Sequence, residues 1–423
     1  MPAPKLRFKN EGGKDFPPPI PRKFIEIADK ISDGIHSTPK YDVNGKYFFI
    51  NGNNLINGQI EITPSTKKIA YDQYLLHKSD LNNQSILLSI NGTIGNLAFY
   101  DNQEVVLGKS ACYINLKSTT NKKYVYQLLQ TPIIKNYFEQ ELTGSTIKNL
   151  SLTTIKNASA EFPVEQEQTK IANFLTAVDS KISQLTKKHE LLTSHKKGVM
   201  QKIFSQELRF KDDEGQEFPG WEEMSFGDVY DFFQTNSFSR ELLSYDIGSI
   251  KNIHYGDIHT KFKSNFSLAD ELVPFIKPEV DVSRIPKECY CIEGDLIIAD
   301  ASEDYADVGK AIEIIKLGQE KLLAGLHTYI ARNLSKNMAL GFGGYLMQTE
   351  KVRLQIKTLA SGISVLGISK GNLAKITIPV PSKDEQSKIA NFLTAIDGKI
   401  RNVKSQLEAA KEYKQGLLQQ MFV

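Results

Sequence analysis

The segment EQTKIANFLTAVDSKI at Glu167–Ile182 returns almost unchanged as EQSKIANFLTAIDGKI at Glu385–Ile400. The same offset relates Lys196 to Lys414, so the match extends well beyond the two quoted stretches. Chance does not place IANFLTA twice in one register with matching flanks of this length. The chain is therefore predicted to contain two copies of one structural unit.

A second, shorter repeat opens each copy. The residues LRFK at Leu6–Lys9 return at Leu208–Lys211, and a Phe-Pro pair follows each of them. Between this repeated segment and the EQ motif, the two copies differ in length and mostly in sequence, which indicates one scaffold with two different binding surfaces. The predicted boundaries are 1–16 for the first repeated segment, 17–163 for the first variable region, 164–206 for the first long helix, 207–218 for the second repeated segment, 219–381 for the second variable region and 382–423 for the second long helix.

Each EQ motif opens a stretch in which core-type positions recur with alternating spacings of three and four. This heptad pattern predicts a coiled coil, and about 40 residues per helix correspond to roughly 60 Å. Ser382–Glu385 is typical of a capping box at the second helix start. The predicted seam comprises Leu175, Val178, Ile182, Leu185, His189, Leu192, Lys196, Val199 and Ile203 in the first helix, and Leu393, Ile396, Ile400, Val403, Leu407, Ala410, Lys414, Leu417 and Met421 in the second.

Antiparallel packing of these helices would relate them by a pseudo-twofold axis. In that pairing His189 lies opposite Leu407, Lys196 near Ile400, and Lys414 near Ile182. We interpret His189 as a half-exposed seam residue rather than a ligand, since polar seam residues commonly set register. An ordinary helical hairpin inside a larger core is the alternative.

The two variable regions have a mixed pattern. Short β-rich runs separated by Asn-Gly or Glu-Gly turns occupy 41–62, 85–100 and 289–302, whereas Asn121–Glu141 and Gly341–Ala360 are predicted to be helical. The predicted fold class is therefore α+β, with two mixed domains separated by two long helices packed as an antiparallel coiled coil.

Polar, glycine-bearing loops in both regions carry the candidate binding residues. Asn, Ser, Thr, Lys and Arg side chains bond base edges and phosphates in DNA complexes, although such loops taken alone are also typical of solvated turns. The acidic stretch Asp300–Asp307 does not fit the ligand pattern of a calcium loop. Two interpretations remain for it: a solvated loop, or carboxylates that accept hydrogen bonds from cytosine amino groups. The candidates are His36, Ser37, Thr38, Lys40, Asn51, Asn53, Asn54, Asn91 and Thr93 in the first region, and Asn236, Ser237, Ser239, Arg240, Lys251, Asn252, His254, Tyr255, His259, Lys261, Lys263 and Ser302 in the second.

Composition restricts the class without choosing the function. The chain of 423 residues has a formal net charge of +3, so any DNA contact must come from local patches. Cys112, Cys289 and Cys291 form neither a disulfide framework nor a CxxC zinc pair. We expect Cys289 and Cys291 to pack on one face of a strand, with a metal site as the alternative. No apolar run suggests a membrane span or a secretory signal, so we expect a cytoplasmic location.

Motifs of the relevant enzymes are missing from the sequence. Phe16–Pro19 lacks the flanking residues of an amino-methyltransferase tetrad, and no GxxxxGK[ST], GxGxxG or HExxH occurs. A chain with two binding regions and no cofactor, nuclease or ATP motif is predicted to be non-catalytic and to act through partners.

The chain resembles the specificity subunit of type I restriction–modification systems over nearly its whole length. The residues that carry the resemblance are the two EQxKIANFLTAxD copies, FPGW at Phe218–Trp221, DGxHxTPKY at Asp33–Tyr41, NGTIGN at Asn91–Asn96, IKNIHYGDIHTKF at Ile250–Phe262, GDLIIADASED at Gly294–Asp304, AGLHTYIAR at Ala324–Arg332 and GISVLGIS at Gly362–Ser369. The first copy departs from the pattern, with FPPPIPRKF in place of FPGWEEMSF.

The resemblance implies two target recognition domains, each reading one half of an asymmetric bipartite sequence in double-stranded DNA. The helices would set the unread spacer. Two methyltransferase (modification) subunits and motor-endonuclease (restriction) subunits would be the partners, with S-adenosylmethionine, ATP and Mg on those partners and no cofactor or metal in this chain.

A second class of function stays open. The chain could be a coiled-coil scaffold whose variable regions bind protein or glycan. DNA binding would weaken steeply with salt because phosphate contacts release counterions, whereas the scaffold would show a flat response.

Overall fold

The computed structural model describes residues 4–144 and 146–422. The chain divides into two compact units, the first made of 1–187 with 404–423 and the second of 188–403. Residues 1–3 of the first repeated segment, Ser145 and Val423 of the second predicted helix lie outside the described residues. None of the described helices is both long and apolar enough to span a membrane.

The first unit contains short strands and helices followed by the first part of a long helix. Its elements are β1 (Ile20–Lys23), α1 (Phe24–Ile27), β2 (Ala28–Asp33), β3 (Tyr47–Ile50), β4 (Leu55–Ile56), β5 (Gln59–Ile60), β6 (Lys67–Ile69), α2 (Tyr71–His77), β7 (Ser85–Ser89), β8 (Leu97–Phe99), β9 (Val105–Leu107), β10 (Ala111–Leu116), α3 (Lys122–Leu128), α4 (Pro132–Gln140), α5 (Leu152–Asn157), β11 (Ser159–Phe162) and α6 (Glu165–Phe204), with a 3-10 turn at Gly52–Asn54.

The main sheet of the first unit is antiparallel, in the order β2-β10-β7-β8. A second sheet, β6-β3-β9, contains the parallel pair β3 and β9. Strand β1 pairs with β11, which brings the two ends of the variable region together immediately before α6. Strands β7 and β10 are buried along their whole length, which explains why most of their residues are apolar; the buried Ser85 hydroxyl donates to the Asn115 side chain on the neighbouring strand.

The second unit follows the same plan with more strands. Its elements are β12 (Glu222–Ser225), α7 (Phe226–Val229), β13 (Asp231–Phe233), β14 (Leu243–Ser244), β15 (Ile250–Ile253), α8 (Tyr255–Thr260), β16 (Asn265–Ser267), β17 (Phe275–Ile276), β18 (Leu296–Ala299), β19 (Ala301–Ser302), β20 (Ala311–Lys316), β21 (Lys321–Ala324), β22 (Thr328–Arg332), α9 (Phe342–Leu346), α10 (Glu350–Leu359), β23 (Leu366–Gly367), α11 (Lys370–Ala374), β24 (Thr377–Val380) and α12 (Lys383–Met421), with 3-10 turns at Arg240–Leu242 and Lys287–Cys289.

The sheets of the second unit correspond to those of the first. The order β13-β22-β18-β20 repeats β2-β10-β7-β8, and β16 adds a fifth strand parallel to β20. The parallel pair β15 and β21 repeats β3 and β9, and β12 with β24 repeats β1 with β11. Two regions with little common sequence therefore share one strand plan.

The two long helices pack antiparallel. In the first unit, Leu175 near the start of α6 shares a core with Leu417 and Met421 near the end of α12. In the second unit, Ile203 near the end of α6 shares a core with Leu393 near the start of α12. The fold class predicted from the sequence is thus confirmed, as α+β with two long helices packed together.

Three local expectations differ from the structure. The predicted helix at Asn121–Glu141 is divided into α3 and α4 at Thr131, which caps the Ile134 amide. The helix expected at Gly341–Ala360 is likewise divided, into α9 and α10. Cys289 and Cys291 are both buried, but they lie in a 3-10 turn and the segment after it, not on a strand.

Candidate nucleic-acid interface

The loop after β2 presents the exposed candidates of the first unit. His36, Ser37, Thr38 and Lys40 all have exposed side chains. The His36 ring lies 2.8 Å from Asp33, measured from Nε2 to Oδ2, so the carboxylate orients the imidazole. This loop can offer hydrogen-bond donors and one lysine charge to a ligand.

The Asn51–Asn54 turn is held by its own side chains. Ser110 donates its hydroxyl hydrogen to Asn51 Oδ1 at 2.9 Å, and Asn54 Oδ1 accepts from the Asn51 amide at 3.0 Å. Asn53 is exposed between them. Asn51 and Asn54 therefore shape the turn, and Asn53 is the member that faces solvent.

Asn91 and Thr93 follow strand β7. Asn91 Nδ2 donates to Asn149 Oδ1 at 3.3 Å, and the Gly92 amide donates to the Lys148 carbonyl at 3.2 Å. Thr93 is exposed. The turn after β7 is thus hydrogen-bonded to the segment before α5. Nothing in the sequence had indicated that these two segments are neighbours.

In the second unit, the Tyr255 ring contacts three imidazoles. His254 stacks on it at 4.6 Å between ring centroids, whereas His259 and His327 meet it edge-on at 5.9 and 5.4 Å. His254 Nδ1 accepts from the Gly256 amide, and burial followed by the nearby Arg240 charge lowers the pKa of His254. His254 is therefore an uncharged ring whose proton lies on Nε2.

The lysines of the 251–263 segment all have acidic partners. Lys251 pairs with Glu320 at 2.7 Å, and its side chain is only 14% exposed. Lys261 pairs with the buried carboxylate of Asp257, as does Arg240, while Lys263 pairs with Glu271 at 3.4 Å. These cations would have to exchange a carboxylate for a phosphate in order to contact DNA.

The remaining candidates of the second unit are mostly internal. Asn252 is fully buried and accepts from Asn236 Nδ2 at 2.7 Å, so a contact with DNA would require this loop to open. Ser302 is 5% exposed, and its hydroxyl accepts from the Asp304 amide. Ser237 is exposed and Ser239 is half-buried. DNA contact stays a prediction for every residue of the set.

The predicted seam positions are buried or half-buried in both helices. Burial is nearly complete at the ends of each helix and partial toward the middle of α6. Buried members are Leu175, Leu185, Ile203, Leu393, Ile396, Val403, Leu407, Leu417 and Met421, and half-buried members are Val178, Ile182, His189, Leu192, Lys196, Val199, Ile400, Ala410 and Lys414.

The two seam lysines are paired with aspartates. In the first unit Lys414 meets Asp179 at 2.7 Å, and in the second Lys196 meets Asp397 at 2.7 Å. These pairs occupy equivalent positions of the duplication. The aspartate of the repeated LTAxD motif is thus the anionic partner of the seam lysine of the other helix.

Two further ion pairs, one in each copy of the duplication, were not predicted from the sequence. Arg7 donates to Glu167 from Nε and Nη2, and Arg209 donates in the same way to Glu385. Both carboxylates are almost completely buried. The available signal was that an arginine recurs in each LRFK segment and a glutamate in each EQ motif.

Ser382 caps α12, but the predicted capping box is only half formed. The Glu385 amide donates to Ser382 Oγ at 3.4 Å. The Glu385 side chain does not return to the cap, because its carboxylate accepts from Arg209 and from Trp221 Nε1. Among the described residues, no cluster of His, Cys, Asp or Glu could hold a metal ion.

A family model described as the type I restriction modification DNA specificity domain matches residues 22–193 and again 219–412. Among curated proteins, the type I restriction enzyme MjaVIII specificity subunit of Methanocaldococcus jannaschii is 27% identical over 293 residues, covering 66% of this chain and 65% of the relative. A putative type I restriction enzyme MjaX specificity subunit from the same organism is 25% identical over 279 residues. That match covers 64% of this chain and 60% of the relative. This chain therefore spans just under two thirds of the length of the curated relatives it matches.

Two solved structures have the same fold. A type I restriction–modification S subunit from M. genitalium matches with a TM-score of 0.60 and 17% identity, over 100% of this chain and 99% of the other. A chain from work on complex assembly and conformational transition of the type I R-M system matches with a TM-score of 0.52 and 15% identity, over 96% and 97%.

Proposed function

The chain belongs to the type I restriction–modification DNA specificity family, and from that membership we propose that it reads a bipartite, asymmetric sequence in double-stranded DNA. Membership places it among the non-catalytic specificity subunits of type I systems. The observation that carries the proposal is that the family model matches twice, once over each variable region together with its long helix.

Each variable region would read one half of the target. The two units share a strand plan, yet their exposed loops differ in sequence and in polar groups. A common scaffold with different loops suits two different half-sites, because base edges are read by the side chains that a scaffold presents.

The subunit would act by directing partners to its target. We propose two methyltransferase subunits and motor-endonuclease subunits as these partners, with S-adenosylmethionine, ATP and Mg bound on them rather than on this chain. We expect the complex to act in the cytoplasm. The long helices and the repeated segments, which recur in both copies, are the proposed docking surfaces.

The test is a map of methylated adenine in cells that carry this chain with its cognate methyltransferase subunit, compared with cells that lack this chain. The expected result is a new asymmetric motif with two short specified parts and a fixed gap. Assembly of the complex without any new motif would contradict the proposal.

The scaffold alternative makes a different prediction for salt. Binding of duplex DNA by the assembled complex should fall steeply and linearly on a log–log plot against salt, with a slope of about −0.9 per phosphate contact. A flat response together with retained binding of a protein or glycan would favour the scaffold.

A further inference from the structure

We propose that a loop present in both variable regions, at 143–149 and 361–367, is a contact for the methyltransferase subunits, with one subunit on each loop. These two segments are called the recurrent loops below. The inference rests on the proposed function and deepens it, because it adds a partner contact inside the variable regions to the long helices and the repeated segments.

The recurrent loops are closed by the same pair of backbone hydrogen bonds. Thr143 and Asn149 exchange amide-to-carbonyl bonds of 3.0 and 2.8 Å, and Ser361 and Gly367 exchange bonds of 2.9 and 2.8 Å. The offset that relates the two long helices also relates these two segments. The loops therefore occupy equivalent positions in the two units.

Each recurrent loop has a glycine that its backbone requires. Gly144 has a φ of +94° and Gly362 a φ of +138°, which favour glycine over any other residue. A Cβ at Gly144 would lie 2.3 Å from the Ile147 carbonyl oxygen, and a Cβ at Gly362 would lie 2.0 Å from the Val365 carbonyl oxygen. The same close approach of the backbone is thus made in both units.

The residue that directly follows each recurrent loop fixes it to the sheet. Leu150 and Ile368 are both buried. The Leu150 amide donates to the Ile90 carbonyl at 2.8 Å, and the Ile368 amide donates to the Asp300 carbonyl at 2.9 Å, directly after the equivalent strands β7 and β18. A loop held in this way loses little conformational entropy when a partner binds it.

Between these fixed ends, each recurrent loop exposes a β-branched apolar side chain at the same position. Ile147 is 61% exposed and its equivalent Val365 is 52% exposed, and Ile363 of the second loop is exposed completely. Folding does not favour an apolar residue at an exposed position, because no apolar surface is removed from water there. An apolar residue that recurs there, in regions with little common sequence, indicates a contact that both units make.

The chemistry of the recurrent loops fits a protein partner better than a phosphate backbone. The second loop contains no charged residue, and the first contains one lysine and no acid. Phosphate contacts draw their affinity from Lys and Arg, whereas the centres of protein interfaces are poor in charge. The equivalent side chains of Thr146 and Ser364 are exposed and can add hydrogen bonds at the edge of such a contact.

A methyltransferase subunit is the partner that has to lie beside each variable region. It acts on a base within the half-site that the region reads, and two copies would meet two equivalent surfaces. Both loops also adjoin candidate reading residues. The Gly92 amide, between Asn91 and Thr93, donates to the Lys148 carbonyl at 3.2 Å, and β19, which contains Ser302, pairs with β23 of the second loop.

The test follows the number of methyltransferase subunits per chain by native mass spectrometry while the purified complex is diluted. Val365→Asp should cause one subunit to dissociate at a concentration roughly 10-fold or more above that of the parent, because it places a charge in an apolar contact. Ile147→Asp should do the same for the other subunit, and the double variant should release both.

Two kinds of control accompany these variants. Leu334→Asp in the second unit and Leu76→Asp in the first change side chains that are 58% and 70% exposed outside the recurrent loops, and they should leave dissociation unchanged. Val365→Ala and Ile147→Ala remove apolar area without adding a charge, so they should shift dissociation in the same direction by a smaller factor.

Four results would overturn the inference: dissociation unchanged in the aspartate variants, an equal shift in the two control variants, an effect of only one loop, or no shift in either alanine variant. Intact assembly with weaker DNA binding by the complex would also overturn it, and would assign the loops to DNA. Failure of the proposed function is recognised separately, because the parent complex would then give no bipartite methylation motif.

Discussion

The buried carboxylates of Glu167 and Glu385 show how one residue position ties each copy of the duplication together. Each joins the arginine of a repeated segment to the first turns of a long helix. The two sites differ in one bond, because Trp221 Nε1 also donates to Glu385 at 2.9 Å. The first copy has Pro19 in its FPPP stretch where the second has this tryptophan, so Glu167 lacks the additional donor.

Because of that additional hydrogen bond, we expect a Glu→Gln substitution to lower the free energy of unfolding by different amounts at the two sites. Glu385→Gln should lower the free energy of unfolding by more than Glu167→Gln, by about 1.5–3 kcal/mol, the usual worth of a hydrogen bond to a charged group. Urea unfolding followed at both units would measure it. When Trp221 is replaced by Phe, Glu385→Gln and Glu167→Gln should lower the free energy of unfolding equally. A larger loss for Glu385→Gln in that background would show that Trp221 does not cause the difference.

Residue-level predictions failed to anticipate long-range partners. Lys251 looked like a phosphate contact because it lies in a segment rich in Lys and His, but its ammonium group is paired with Glu320, which directly precedes the neighbouring strand β21. No local pattern encodes that pairing.

At the level of elements, the long helices were predictable because their heptad pattern and their duplication agree. The sequence placed Lys196 near Ile400 and Lys414 near Ile182, and the structure adds the aspartates that these lysines meet. Lys414 also donates to Gln130, and Gln127 donates to Asp179, so the pair is joined to α3. A half-buried charge pair in an apolar seam favours one register, because any other register would leave the charges unpaired.

Charge reversal tests that role in the first unit. Lys414→Glu should destabilise by about 3 kcal/mol or more, because it places two carboxylates together in a seam where the lysine side chain is only 12% exposed. Adding Asp179→Lys should recover part of the loss, and unfolding in urea would measure both. Lys181→Glu, at an exposed position of α6 two residues after Asp179, is the control and should change stability by less than about 0.5 kcal/mol. Equal effects at positions 181 and 414 would contradict the register role.

The buried Glu313 on β20 makes the second unit sensitive to pH. Burial raises the pKa of Glu313 to about 7, although the amides of Gly341 and Gly344 donate to its carboxylate at 2.6 Å each. The folded state therefore binds this proton more tightly than the unfolded state, whose carboxyl has a pKa near 4.5. Stability from this group should fall as pH rises from about 4.5 to 7, by roughly 3 kcal/mol in total.

Glu313→Gln provides the comparison. The difference in unfolding free energy between the parent and the variant should change over that pH interval and be flat above pH 8. Urea titrations at pH 4.5, 6 and 8 would measure it. A difference that stays constant across the three values would mean that the carboxyl does not titrate in this range.

At the scale of the whole molecule, the internal duplication predicted more of the fold than the amino-acid composition did. The repeat predicted two units on a common plan, and the matching strand orders confirm a common plan in regions that share little sequence. The break before α4 had a visible signal that the prediction overlooked, because Thr131 caps a helix that begins at Pro132. The break between α9 and α10 lies at Gln348 and Thr349, where the sequence has neither proline nor glycine.

A coordinated deletion in both helices tests whether the long helices set the distance between the two proposed half-sites. Removing Gln184–Glu190 from α6 and Asn402–Glu408 from α12 takes one heptad from equivalent positions and keeps the pairs Lys414–Asp179 and Lys196–Asp397. Each helix would become ~10 Å shorter, which is the length of about three base pairs.

The methylation motif of the deletion variant should therefore have a gap shorter by up to about three base pairs, with both specified halves unchanged. Deleting the heptad from α6 alone is the control, since it mismatches the seam and should abolish methylation or destabilise the complex. A changed half-site in the double deletion would mean that the helices contact bases or support the recognition regions directly. An unchanged gap would mean that the helices do not set the distance between the half-sites.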